Sequence, residues 1–166
     1  MQTTSTEGRP ELVRRHLLAG GALLALAAAA GARSSPPTDR ATRVQVWKGP
    51  SCGCCKDWIK HLEVNGFQVS VSDAGNTDAR RQLGIAIKYG SCHTALVGGY
   101  AVEGHVPARE IWRLLRERPE ALGLAVPAMP IGSPGMDGPE YGQRKDPYDV
   151  LLLNKDGSAR TFQTYR

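Results

Sequence analysis

Apolar residues along this chain recur at period two, then at a helical period, then at period two again. Val44-Gln45-Val46-Trp47 reads as a short strand, closed by Gly49-Pro50. From Cys55 to Val64 the spacing turns helical, with Cys55, Trp58, Ile59 and Leu62 at i, i+3, i+4 and i+7 and Asn65-Gly66 as the stop. Phe67, Val69 and Val71 alternate with polar residues and predict a second strand. A short helix is expected over Asp78–Leu83, with Thr77 as its cap. Thr94–Val97 and Tyr100–Glu103 flank Gly98-Gly99, a two-residue turn that predicts a hairpin. Pro107 then opens a helix through Ile111, Leu114 and Leu115 to Pro119.

The regular pattern stops there. Roughly from Val126 to Pro147 the chain is rich in proline and glycine, and so long an irregular run points to function or disorder. Val150–Leu153 and Arg160–Gln163 surround Asn154-Lys155-Asp156-Gly157 and predict a closing hairpin.

The N-terminal stretch has a different character. Arg14 and Arg15 precede an apolar run, Leu17–Ala30, and Ala30-Gly31-Ala32 offers a small-residue cleavage site, the layout of an export signal resembling the twin-arginine type. As a helix, Leu17–Ala32 would span about 24 Å, short of the roughly 30 Å of a bilayer core, so no permanent membrane anchor is expected. The expected layout is a signal over 1–32, a polar linker over 33–43, a globular domain over 44–119 and an extension over 120–166. The mature protein is then expected outside the cytoplasm, as a monomer.

Of the 166 residues 41% are hydrophobic, enough for one small core. The net charge of +5 is spread along the chain and not interleaved with aromatics, which argues against nucleic-acid binding. No phosphate loop or Ser/His/Asp arrangement stands out, and Glu103, Glu110 and Asp57 read most simply as solvated charges.

The chemistry concentrates in "GPSCGCCKDW", which places Cys52, Cys54 and Cys55 within four positions. Cys52 and Cys55 form a Cys-x-x-Cys after a strand and at the start of a helix, the context of a thioredoxin-like redox pair. Amides and dipole at a helix N-terminus favour the thiolate, which is both nucleophile and ligand. With the order strand, helix, strand, helix, hairpin, helix, this predicts an α/β protein: a thioredoxin-like domain with a C-terminal loop-plus-β-hairpin extension.

Two features depart from an ordinary redox pair. Cys54 adds a third thiol, and Ser91-Cys92-His93-Thr94 puts His93 where such folds carry a proline facing the dithiol, with Cys92 beside it. Several thiols and an imidazole suit a soft metal: zinc is possible but would leave a donor over, iron–sulfur lacks its usual cysteine runs, and copper would use them all. A disulfide from Cys92 to one of the clustered thiols is the simpler alternative. Met129 and Met136, in the irregular stretch, are candidate thioether ligands or plain loop packing. His105 is a candidate ligand or a cap for the following helix, and His61 is expected to face water.

"CGCCKDW", "SCHTALVGGYAVEGHVP" and "AVPAMPIGSPGM…KDPYDVLL" resemble the CopG-type copper-resistance proteins of Gram-negative bacteria, from about Val44 to Phe162. The resemblance implies a periplasmic, thioredoxin-like protein whose C-terminal extension helps bind metal. It also implies a cysteine-bridged cluster of several copper ions that interconverts Cu(I) and Cu(II). By position, Cys52, Cys54 and Cys55 match the family's cluster motif, Cys92 and His93 its second loop, and Met129 and Met136 its extension. The resulting expectation is metal ligation by Cys52, Cys54, Cys55, Cys92, His93, His105, Met129 and Met136, with Cys52 and Cys55 as the redox pair. Copper ions and periplasmic copper-efflux components are the expected partners. Two alternatives stand beside it: a thiol–disulfide oxidoreductase using Cys52 and Cys55, and a non-catalytic copper store or chaperone.

Overall fold

A computed structural model describes residues 42–166; the expected signal and nearly all of the linker lie outside them. The described residues form a mixed α/β structure around one seven-stranded sheet. Its strands are β1 (Arg43–Lys48), β2 (Gln68–Ser72), β3 (His93–Val97), β4 (Tyr100–Gly104), β5 (Gly123–Val126), β6 (Tyr148–Leu153) and β7 (Ala159–Tyr165). The helices are α1 (Gly53–Val64), α2 (Thr77–Gln82) and α3 (Ala108–Glu117). Strand order is β2-β1-β3-β4-β5-β6-β7. β1 pairs parallel to β2 and β4 parallel to β5, each across a helical crossover, and the other neighbours are antiparallel.

Alternation along the strands sorts the core by face. Val44, Val46, Ala95, Val97, Val102, Leu124 and Leu152 pack with Trp58 and Leu62 of α1 and with Ile111, Leu114 and Leu115 of α3. A smaller cluster of Ile85, Ala101, Ala125 and Leu153 is separate from it. Burying each such aliphatic side chain stabilises by roughly 1.5–3 kcal/mol, which is what presses α1 and α3 against the sheet.

The expected strands, both hairpins and the helices after Pro50 and Pro107 are all present. Gly98 and Gly99 take φ of +56° and +90°, the left-handed geometry a two-residue hairpin turn demands. Four expectations need correction. Gly123–Val126 is a strand and not the approach to a loop: buried throughout and flanked on both sides, it shows an unbroken apolar run with no alternation to read. The cap of α2 is Asn76 rather than Thr77, and its side chain, instead of closing the helix, donates to Ser91 O and Thr94 Oγ1, both at 3.2 Å. Glu103 and Glu110 are buried, not solvated. Glu103 is paired with Arg80, and Glu110 accepts from Arg109 Nε and Tyr165 Oη, each at 3.0 Å. His61 is half-buried and its Nε2 accepts the Ala108 N–H at 3.0 Å, so it caps the start of α3 from the neighbouring helix. Among the described residues no helix is long and apolar enough to cross a membrane.

Candidate metal centre

The chain leaves β1 through Gly49-Pro50 and enters α1 at Gly53, so Cys52, Cys54 and Cys55 ring the first turn of that helix. Helical spacing turns Cys55 inward, fully buried beside Trp58, while Cys52 and Cys54 stay half-buried. Cys52 and Cys55 are joined as a disulfide, and Cys54 and Cys92 are free thiols. Cys92 arrives from the loop just before β3. Its Sγ lies 3.5 Å from Cys55 Sγ and 3.7 Å from Cys54 Sγ, and Cys54 Sγ lies 3.6 Å from Cys52 Sγ. Burial pushes the Cys92 thiol up to about 12, and the neighbouring Cys54 adds to the shift. The helix-dipole argument for a lowered thiol therefore does not extend to Cys92, which stands off the helix. A cation replacing its proton would offset that burial.

Two histidines face the same sulfur. His93 begins β3 and His105 follows β4, and both side chains are fully buried. A backbone carbonyl accepts only, so His93 Nε2–H donates to Gly104 O at 3.0 Å and leaves the Nδ1 lone pair toward Cys92 Sγ, 3.4 Å away. His105 Nδ1–H donates to Pro134 O at 2.8 Å, leaving the Nε2 lone pair 3.2 Å from the same sulfur. Burial holds both imidazoles neutral, His93 down at about 3 with His105 contributing and His105 also below its ordinary value. Trp58 packs against His93 with the ring centroids 4.3 Å apart and the planes tilted by 35°, and donates its Nε1–H to Val106 O at 2.9 Å, so the helix that carries the thiols also fixes the imidazole.

This donor set fits a metal ion. One thiol proton serves one lone pair, yet two imidazole nitrogens are turned to Cys92 Sγ with their other ring nitrogens tied to carbonyls, as ligating histidines are usually held. The donors fall into two sets, Cys52/Cys54/Cys55/Cys92 and Cys92/His93/His105, each with its ligand atoms within 4.8 Å of one another. Cys92 belongs to both.

Polar residues absent from the sequence-based candidates hold the Cys92 loop. Glu103 Oε1 accepts from the Ser91 N–H at 2.7 Å and from Arg80 Nε at 2.8 Å, while Oε2 accepts from Thr94 Oγ1 at 2.6 Å. Arg80 and Asn76 both donate to Ser91 O. Burial pushes the Glu103 carboxyl up, against the pull of Thr94, Ser91 and Arg80. Gly104 completes the fit: at φ +70° it lies where a Cβ would meet Val126 O and the Ser91 side chain. The acidic residue alternating with small apolar ones in β4 was the available signal, since an inward-facing strand position that carries a charge requires a partner.

The irregular stretch reaches the site through its backbone. Pro134 O orients His105, and Gly135 sits where a Cβ would come within 2.6 Å of the Cys54 backbone oxygen and 2.7 Å of the Trp58 backbone nitrogen. Met136 is buried in this stretch, and its Sδ accepts from Tyr141 Oη at 3.5 Å. Met129 is about half exposed, lining an open groove of about 530 Å³ with Pro127, Pro130, Asp146, Tyr148 and Leu151.

A family model described as "Protein of unknown function, DUF411" matches residues 89–136, the part of the chain that holds Cys92, His93 and His105. No curated protein matches the chain. Two solved structures are similar to it. Form 2 of copper resistance protein copG is 46% identical over 75% of this chain and 98% of its own, with a TM-score of 0.69. Form 1 is 47% identical over 74% of this chain and 96% of its own, with a TM-score of 0.68. The fold, the clustered thiols and this identity over nearly the whole of those chains agree, and the chain belongs to the CopG family of copper resistance proteins.

Proposed function

We propose that this protein is an exported copper-binding protein that holds several copper ions between its clustered cysteines and its paired histidines and interconverts Cu(I) and Cu(II). The observation that carries the reading is the sharing of Cys92 by a thiol set and an imidazole set. Thiolates and imidazoles together are a donor mixture that suits copper in its lower oxidation state, and a shared thiolate lets one sulfur bridge neighbouring ions. Cys52, Cys54, Cys55, Cys92, His93 and His105 are the ligands in this reading, with Met129 and Met136 as further candidate thioether ligands. The chain's own contribution is to keep both imidazoles neutral and aimed, to exclude water around them with Trp58, and to take up or release the Cys92 proton as copper leaves or enters.

The same reading treats residues 1–32 as an export signal and 33–43 as a linker, with the site working in the periplasm and copper-efflux components receiving its copper. It treats 44–119 as a thioredoxin-like domain, supported by the order β2-β1-β3-β4 with a parallel first pair and an antiparallel hairpin. Residues 120–166 are its extension.

Copper loading of the anaerobically reduced protein, beside a Cys54→Ser variant, tests it. Several copper ions per chain, reduced in number in the variant, are expected. Little copper bound, with the variant unchanged, would overturn the reading. One observation favours a second reading, a thiol–disulfide oxidoreductase: Cys52 and Cys55 are already joined, with Cys92 Sγ 3.5 Å from Cys55 Sγ as an attacking thiol. Catalysis of disulfide reduction by the metal-free protein would favour it. Tight copper binding without redox cycling would point to a store.

A further inference from the structure

We propose that the Cys52–Cys55 pair is the electron source of this site: as a dithiol it reduces Cu(II), becoming the disulfide seen here, while the remaining donors keep the Cu(I) produced. The inference rests on the copper reading above and adds the identity of the reductant. The starting observation is that the disulfide and a complete ligand set coexist. With Cys52 and Cys55 joined, Cys54 and Cys92 are still free thiols and both imidazole lone pairs still face Cys92 Sγ. Oxidation therefore dismantles the set Cys52/Cys54/Cys55/Cys92 but leaves Cys92/His93/His105 intact.

The geometry also assigns the two jobs to different sulfurs. Cys52 is half-buried at the open end of α1, where an ion from solvent reaches it, and Cys55 is fully buried behind it. Cys92 is the sulfur that both histidines engage, so drawing it into a disulfide would remove the imidazole set as well. The chemistry balances within the site. Two S–H bonds break and one S–S bond forms; the two electrons pass singly to two Cu(II) ions, and the two protons leave to solvent. Softer donors favour the Cu(I) product over the Cu(II) reactant, which gives the step its direction. A second round requires a dithiol reductant to reopen Cys52–Cys55.

The test uses the anaerobically reduced protein, with Cu(II) chloride as probe. Cu(I) formed is read with a chromogenic chelator, thiols are counted, and the disulfide is located by peptide mass mapping. About two Cu(I) and the loss of about two thiols per chain are expected, with the new link mapped to Cys52–Cys55. A Cys52→Ser variant is expected to form Cu(I) about tenfold more slowly or worse. Copper reduced with all thiols intact, or a link that includes Cys54 or Cys92, would overturn the inference. Supplying Cu(I) directly to the reduced protein separates the two claims. Cu(I) retained while Cu(II) leaves the Cys52–Cys55 pair as thiols sinks this inference alone; Cu(I) not retained sinks the copper reading and this inference with it.

Discussion

On one side of Cys92 Sγ stand the thiols of residues 52–55, on the other the imidazoles of His93 and His105, and the two sides are held in place by different means. The thiols are neighbours in sequence, on the first turn of a helix whose start has no side-chain cap. Cys52 and Cys54 are half-buried and Cys55 is fully buried, and close spacing along the chain brings the three together. One imidazole begins β3 and the other follows β4, and they meet through long-range contacts: the β3–β4 pairing, carbonyls from Gly104 and Pro134, the Trp58 ring, and the buried Glu103–Arg80 clamp on Ser91. A side built from local spacing can change its bonding without disturbing the fold. A side built from tertiary contacts is rigid, and its integrity is tied to that of the whole sheet.

Substitutions should expose that difference as a gradient in stability. The largest loss is expected for Glu103→Leu, which leaves the buried Arg80 guanidinium without its carboxylate: about 3–5 kcal/mol, read by guanidinium unfolding of the metal-free protein. A loss below about 1 kcal/mol would show that the clamp contributes little. Gly104→Ala comes next, at about 1–3 kcal/mol, because the position requires positive φ and has no room for a Cβ against Val126 O. The same variant should displace His93 and weaken copper retention. An unaffected copper content would mean that the Gly104 carbonyl does not orient that ring.

His61→Gln is a smaller perturbation at the join between α1 and α3, expected to cost about 0.5–1 kcal/mol at neutral pH through the Ala108 N–H. Its pH dependence has a definite sign. Burial holds the His61 imidazole below its ordinary value of 6.5, so on acidification the unfolded chain takes up the proton first. The His61 contribution is complete above that value and is lost as pH falls from it toward the depressed folded value. The variant should therefore show a shallower loss of stability with falling pH than the parent, measured as unfolding midpoints across that range; parallel curves would remove His61 from the account. Cys54→Ser should be smallest, within about 0.5 kcal/mol of the parent, while changing copper loading most visibly. A large stability loss there would erase the contrast between the two sides.

The same contrast decides what was legible from the sequence. The thiol side was readable because its signal is local: three cysteines at fixed offsets after a strand stop and at a helix start. The hairpin at Gly98-Gly99 and the amphipathic stripe of α3 were readable for the same reason. Cys92 and His93 were reached by comparing the hairpin entry with the thioredoxin pattern, and His105 only as one of two possibilities, since no spacing rule joins it to Cys92. What settles its place is the carbonyl of Pro134, from the stretch that offers no periodic signal at all. Glu103 was misread because a single carboxylate in a strand looks solvated until its strand is placed in the interior of the sheet with Arg80 packed against it. β5 was missed because a short strand covered on both faces carries no alternation.

The central claim is that Cys92 joins the thiol side to the imidazole side around bound copper. X-ray absorption at the copper edge, on protein reduced and loaded with Cu(I) under argon, tests it most directly. The account predicts both sulfur and imidazole nitrogen among the copper neighbours, with the nitrogen signal diminished in a His105→Phe variant. Copper bound by sulfur alone, with the same spectrum in parent and variant, would contradict it.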